Sequence, residues 1–159
     1  PVAVTEDIES VFKQVMDESL TFVSRGDNSG THNKETGIWE TLGITDYESN
    51  ENYISAGAGM SDTINMADEM EGYCLSDRGT WLSMAADLPN MQIVCEGDDN
   101  LLNQYGVIAV NPEKYPDVNN EAANTFIEWI CSPEVQTLIG EFGVEEYGEP
   151  LFFPNAEQQ

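Results

Sequence analysis

A short β-branched and aromatic run, Thr21-Phe22-Val23, leads into Ser24-Arg25-Gly26-Asp27-Asn28-Ser29-Gly30-Thr31-His32, and apolar residues at helical spacing, Ile38, Trp39 and Leu42, follow. No other stretch constrains the chain as tightly. The pattern predicts a strand, a glycine-punctuated turn, and a helix over about residues 31–42 that Gly43 ends. A strand feeding a helix through such a turn is the building unit of an α/β layer. It also aims backbone N–H groups, hydroxyls and one guanidinium at a common point, which is a way to hold an anion.

The unit recurs. Tyr53-Ile54-Ser55 runs into Ala56-Gly57-Ala58-Gly59-Met60-Ser61, which opens a helix through Ile64, Ala67 and Met70 that stops at Gly72. This second turn does not match the dinucleotide fingerprint. Its value is a second helix N-terminus in one lobe, because in open α/β sheets these cluster at the carboxyl ends of the strands.

The remaining elements fit an α/β architecture. Thr5 is expected to cap a first helix whose apolar face is Ile8, Val11, Phe12, Val15 and Met16. Short strands are predicted at 73–76, 91–94 and 105–110, the last reading as buried. Asp77 can cap a helix through Trp81, Leu82 and Met84. Two helices close the chain, one over 120–131 with Ala123, Phe126, Ile127 and Ile130 inward, the other starting at Ser132-Pro133-Glu134. The expected fold is a largely parallel sheet flanked by helices.

Thirty acidic residues against five basic ones give a net charge of −25, which disfavours nucleic acid and anionic membranes as partners. An anion meets long-range repulsion, but screening over about 8 Å at physiological salt removes most of it. Binding must then come from local geometry. Apolar runs are too short for a membrane-spanning helix. The chain begins at Pro1 without a signal-peptide pattern. Cys74, Cys95 and Cys131 lack metal-ligand spacing and the chain has a single histidine, so a zinc site is not expected. Cys74 and Cys131 read as small core residues, with one disulfide left open. His32 has no Gly-x-Ser-x-Gly partner, and neither a positioned general base nor a metal cluster is evident, so no enzyme is expected.

Several residues carry two readings. Arg25 is either an ion pair with one of many carboxylates or an anion clamp. Ser29-Gly30-Thr31 is either a plain turn and cap or part of that clamp. Asp27 either accepts a proton from a protonated anion or orients Arg25. Arg78, after the cap Asp77, is either in a neighbouring ion pair or a support behind the site.

The segment Phe22 to His32 resembles the signature of tungstate-binding proteins of ABC transporters. Gly59-Met60 leading to Asn65-Met66-Ala67-Asp68-Glu69, then residues 73–80, 102–112 and 132–156, agree with it in order and spacing. The resemblance runs over nearly the whole chain. It implies a type II periplasmic-binding-protein fold, in which two α/β lobes close on an oxyanion, tungstate or molybdate, and deliver it to a membrane permease. It implies no cofactor besides that anion, and a place outside the cytoplasm, in the periplasm or on the cell surface as a lipoprotein. Ser24, Arg25, Ser29, Gly30 and Thr31 would contact the ligand, the amides around Met60 and Ser61 would be further donors, and Asp27 and Arg78 would stand behind them.

Members of that family begin with a lobe whose first strand ends in small hydroxyl residues, a region this chain does not contain. Residues 1–104 then correspond to the second lobe, and 105–159 to a return strand and helices that pack on the first. Phe126, Trp129, Leu138, Phe152 and Phe153 would be left to drive self-association. Phosphate-binding proteins share the Arg…Ser-Gly-Thr pattern, and ligand-sensing domains of transcription regulators share the superfold. Both stay as alternative expectations.

Overall fold

The computed structural model describes residues 2–156 and divides into two compact units, 1–103 and 104–159. In the first unit α1 (Ile8–Asp17) buries Ile8, Val11, Phe12 and Val15. Its cap is Asp7, whose carboxylate accepts from the Ser10 N–H at 3.0 Å, and not Thr5 as the sequence suggests. Thr5 is committed elsewhere. Its N–H donates to the Val94 carbonyl at 2.9 Å in a parallel bridge with Cys95, and its Oγ1 accepts from the Asp7 N–H at 3.2 Å, which leaves Asp7 as the residue that caps the helix.

Strands β1 (Phe22–Ser24) and β2 (Tyr53–Ser55) pair in parallel, in the register Phe22 to Tyr53, Val23 to Ile54 and Ser24 to Ser55. On the other side of β1, Phe22 forms a parallel bridge with Tyr73. From β1 the chain turns into α2 (Gly30–Thr41), and from β2 into α3 (Met60–Glu69). Gly43 (φ +70°) takes the left-handed conformation that ends α2. Helix α4 (Arg78–Met84) is capped by Asp77.

Trp39 of α2 is fully buried, its ring 4.5 Å from Phe12 and 5.5 Å from Phe22. This aromatic cluster joins α1, β1 and α2, and such contacts contribute beyond the area they remove from water. A smaller cluster of Met60, Ile64 and Leu88 seats α3.

Three expected strands are not formed. Only Tyr73 of 73–76 is paired, the pairing near 91–94 falls on Cys95, and 105–110 takes no regular secondary structure. Tyr105 and Ile108 in that run are 72% and 87% exposed. Apolar and β-branched residues make a run able to pair, but a strand needs a neighbour, and no described residue forms a ladder with this one.

The second unit contains α5 (Asn120–Ile130), α6 (Pro133–Glu141) and α7 (Val144–Tyr147). Ser132 caps α6, with Pro133 as its first residue. Phe126, read as inward, is half exposed, as is Trp129, and the two rings lie 5.6 Å apart. A helix face turns inward only where something packs on it, and within this unit little does. The three cysteines are free and partly buried. Among the described residues no helix is long and apolar enough to cross a membrane.

Candidate functional site

The parallel register puts Ser24 beside Ser55 at the ends of β1 and β2, so both glycine turns leave the same sheet edge. Backbone bonds tie them together. Ala56 N–H donates to the Ser24 carbonyl at 2.8 Å, and Ala58 N–H to the Arg25 carbonyl at 3.2 Å. The approach is close enough to require glycine. A Cβ on Gly26 (φ +62°) would stand 1.9 Å from Ser55 Oγ and 3.4 Å from the Gly57 nitrogen.

Helices α2 and α3 therefore both begin beside this edge. Among the described residues no acceptor takes the N–H groups of Gly30 and Thr31, or of Met60 and Ser61. These are the first donors of two helices, where partial positive charge accumulates. Met60 is buried in the smaller cluster, so it offers only its amide, whereas Ser61 is exposed.

Arg25 stays at the turn. Its side chain is mostly buried and Nη2 donates to Asp27 Oδ2 at 2.5 Å, while its buried Nε has no partner among the described residues. The other Asp27 oxygen accepts from the Ser29 N–H at 3.1 Å. The Ser29 hydroxyl first, then the Ser29 amide and the Arg25 guanidinium, hold the Asp27 carboxyl down at about 2. Both of its oxygens are thus engaged in ordering the turn. Ser29 caps α2, its Oγ accepting from the His32 N–H at 3.3 Å.

Ser24 is fully buried, and its Oγ accepts from the Gly26 N–H at 3.2 Å. Arg78 opens α4 and forms an ion pair with Glu96. Gly30, Thr31, Arg25, Asp27 and Ser29 are brought together by one turn, with Met60 and Ser61 on the neighbouring one.

Glu35 escaped sequence reasoning. It is 1% exposed, and its Oε1 accepts from Tyr53 Oη at 2.8 Å and Trp39 Nε1 at 3.3 Å. Burial raises its pKa, opposed by the donors on Ser24, Tyr53 and Trp39. The signal was available: stepping back three and four residues from Ile38 and Trp39 lands on a carboxylate on the inward face. No group of three or more His, Cys, Asp or Glu able to hold a metal occurs among the described residues.

The first unit thus sets two helix N-termini and a guanidinium beside one end of a parallel α/β strand pair. The chain belongs to the PBP superfamily domain family, whose model matches residues 5–134. It is 53% identical over 153 residues to the tungstate-binding protein TupA of Peptoclostridium acidaminophilum, a match covering 94% of this chain and 51% of that protein. With the TupA of Campylobacter jejuni it shares 39% identity over 155 residues, covering 96% and 56%. The solved structure of TupA from Desulfovibrio alaskensis G20 superposes with a TM-score of 0.82 at 39% identity, covering 94% of this chain and 60% of that one. The chain spans about half the length of the curated relatives it matches.

Proposed function

We propose that this chain is the oxyanion-gripping part of an extracytoplasmic solute-binding component of an ABC importer, with tungstate or molybdate as its ligand and a membrane permease as its partner. The observation that carries this is the Ser24–Ser55 register, which brings the starts of α2 and α3 and the Arg25 guanidinium to one edge. The names of the relatives, tungstate-binding proteins, support the choice of anion. So does the state of Asp27. A monoprotonated phosphate needs a carboxylate to accept its proton, whereas a fully deprotonated dianion needs donors only. Asp27 has both oxygens occupied by Arg25 and Ser29, leaving the site rich in donors.

In this reading residues 1–104 are the second lobe and 105–159 the elements that join the first, whose hydroxyl donors complete the grip. The chain binds and releases its anion without transforming it. Arg78 braces the site from behind, and the exposed Phe126, Trp129, Leu138, Phe152 and Phe153 are the surface through which this stretch alone self-associates.

Calorimetric titration of the full-length protein with tungstate, molybdate, phosphate and sulfate tests the proposal. Tungstate and molybdate are expected to bind, and at 100 times Kd to stabilise the protein by about 2.7 kcal/mol. Binding of phosphate alone would replace the ligand. No heat and no melting shift with any of the four would overturn the function.

A further inference from the structure

The turn between β1 and α2 is closed by a side chain with no part in the function so far. His32 is the third residue of α2, and its Nδ1 accepts from the Asn28 N–H at 3.0 Å. Its own N–H donates to Ser29 Oγ at 3.3 Å. At this third helical position a capping-box glutamate or glutamine would bond the cap residue's own N–H. Here the imidazole instead takes the N–H of Asn28, one residue earlier, while the Ser29 N–H goes to Asp27. Asn28 has φ +58°, a left-handed conformation that a non-glycine residue holds at a cost and so needs support. Asn33 Nδ2 adds a weaker contact to the Asn28 carbonyl at 3.4 Å.

The consequence is a division of the amides. Those of Asn28 and Ser29 are consumed inside the turn, by His32 Nδ1 and Asp27 Oδ1. Those of Gly30 and Thr31 are not. A ring nitrogen that accepts carries no hydrogen, so the tautomer that makes this bond is the one with its hydrogen on Nε2.

We propose that His32 is a positioning residue of the oxyanion turn, a role that rests on the oxyanion reading above: by holding the Asn28 amide through Nδ1, it determines that Gly30 and Thr31 are the amides presented to the ligand. It does not touch the anion. Its contribution is to keep the turn from offering its donors in another order.

The chain has a single histidine, so a long-range proton–nitrogen spectrum of the imidazole reports on this residue alone. The spectrum should show Nδ1 as the accepting nitrogen and the ring hydrogen on Nε2. A ring protonated at Nδ1, or one averaging freely between tautomers, overturns the proposal. In the full-length protein His32→Ala removes the acceptor, and His32→Asn restores an oxygen near the position of Nδ1. Losing one hydrogen bond predicts tungstate affinity lower by roughly 2- to 12-fold in the alanine variant, largely recovered in the asparagine variant. Wild-type binding with no loss in His32→Ala overturns the role of His32 alone. Absence of tungstate binding by the wild-type protein overturns the oxyanion reading and this role together.

Discussion

The buried Glu35 carboxylate receives the hydroxyl of the half-buried Tyr53 at 2.8 Å, and so fastens the middle of α2 to the first residue of β2. Trp39 Nε1 donates to the same oxygen from one turn further along the helix. The frame from which both glycine turns depart is therefore pinned by one acidic side chain beneath them.

Glu35→Ala strands two donors, and each buried donor left unpaired costs about 1–3 kcal/mol. A loss of about 2–6 kcal/mol is expected in chemical unfolding, with Glu35→Gln much milder because its carbonyl still accepts. The pH dependence has a definite sign. Because burial raises the folded pKa of Glu35, its proton is held more tightly in the native state. Stability then falls as pH rises from the ordinary carboxylate range through that raised value. Glu35→Gln should flatten this slope; an unchanged slope would place Glu35 outside the pinning role.

Asp27 behaves in the opposite sense. Its carboxyl is held near 2, so its ordering of the turn is present above the ordinary carboxylate range and lost as pH falls through about 2. A carbon-13 titration of the Asp27 carboxyl should give that midpoint. Ser29→Ala and Arg25→Ala should each raise it, since the Ser29 hydroxyl is the largest single influence and the Arg25 guanidinium acts through both a hydrogen bond and its charge.

Arg25→Ala in the full-length protein should weaken tungstate binding more than tenfold, because hydrogen bonds to charged groups contribute about 1.5–3 kcal/mol. Arg25→Lys should recover little, since an ammonium lacks the planar fork that can hold Asp27 and still offer further donors. Calorimetry on both variants checks this, and unaltered affinity in the alanine protein would leave Arg25 as a turn-ordering ion pair only.

Gly26→Ala forces a side chain into a left-handed backbone and against Ser55. A loss of about 1–2 kcal/mol is expected from the backbone alone, with more from the clash. Pairing it with Ser55→Gly should relieve the steric part and leave the backbone part. Thermal unfolding of the single and double variants separates the two.

The strand–turn–helix units were legible because their residues act locally. Ser29 caps and Gly43 ends α2, and the apolar face of α1 is periodic without reference to anything distant. What failed depended on partners far along the chain. Thr5 looks like a cap until Val94 claims its amide, and residues 105–110 look like a strand until a neighbour is sought. Within the site, the cluster around Arg25 was readable from one segment. Glu35 and the accepting nitrogen of His32 were not, because a polar residue in a helix reads as solvated until its neighbours in space are known.

The unpaired run at 105–110 has a bearing on handling this stretch by itself. Tyr105, Val107, Ile108 and Val110 present aromatic and branched side chains on a backbone with no ladder partner among the described residues, the raw material of fibrils. At neutral pH the charge of −25 keeps molecules apart. Near the isoelectric point, about 4.1, that colloidal protection vanishes, and acidified preparations should turn turbid while neutral ones stay clear.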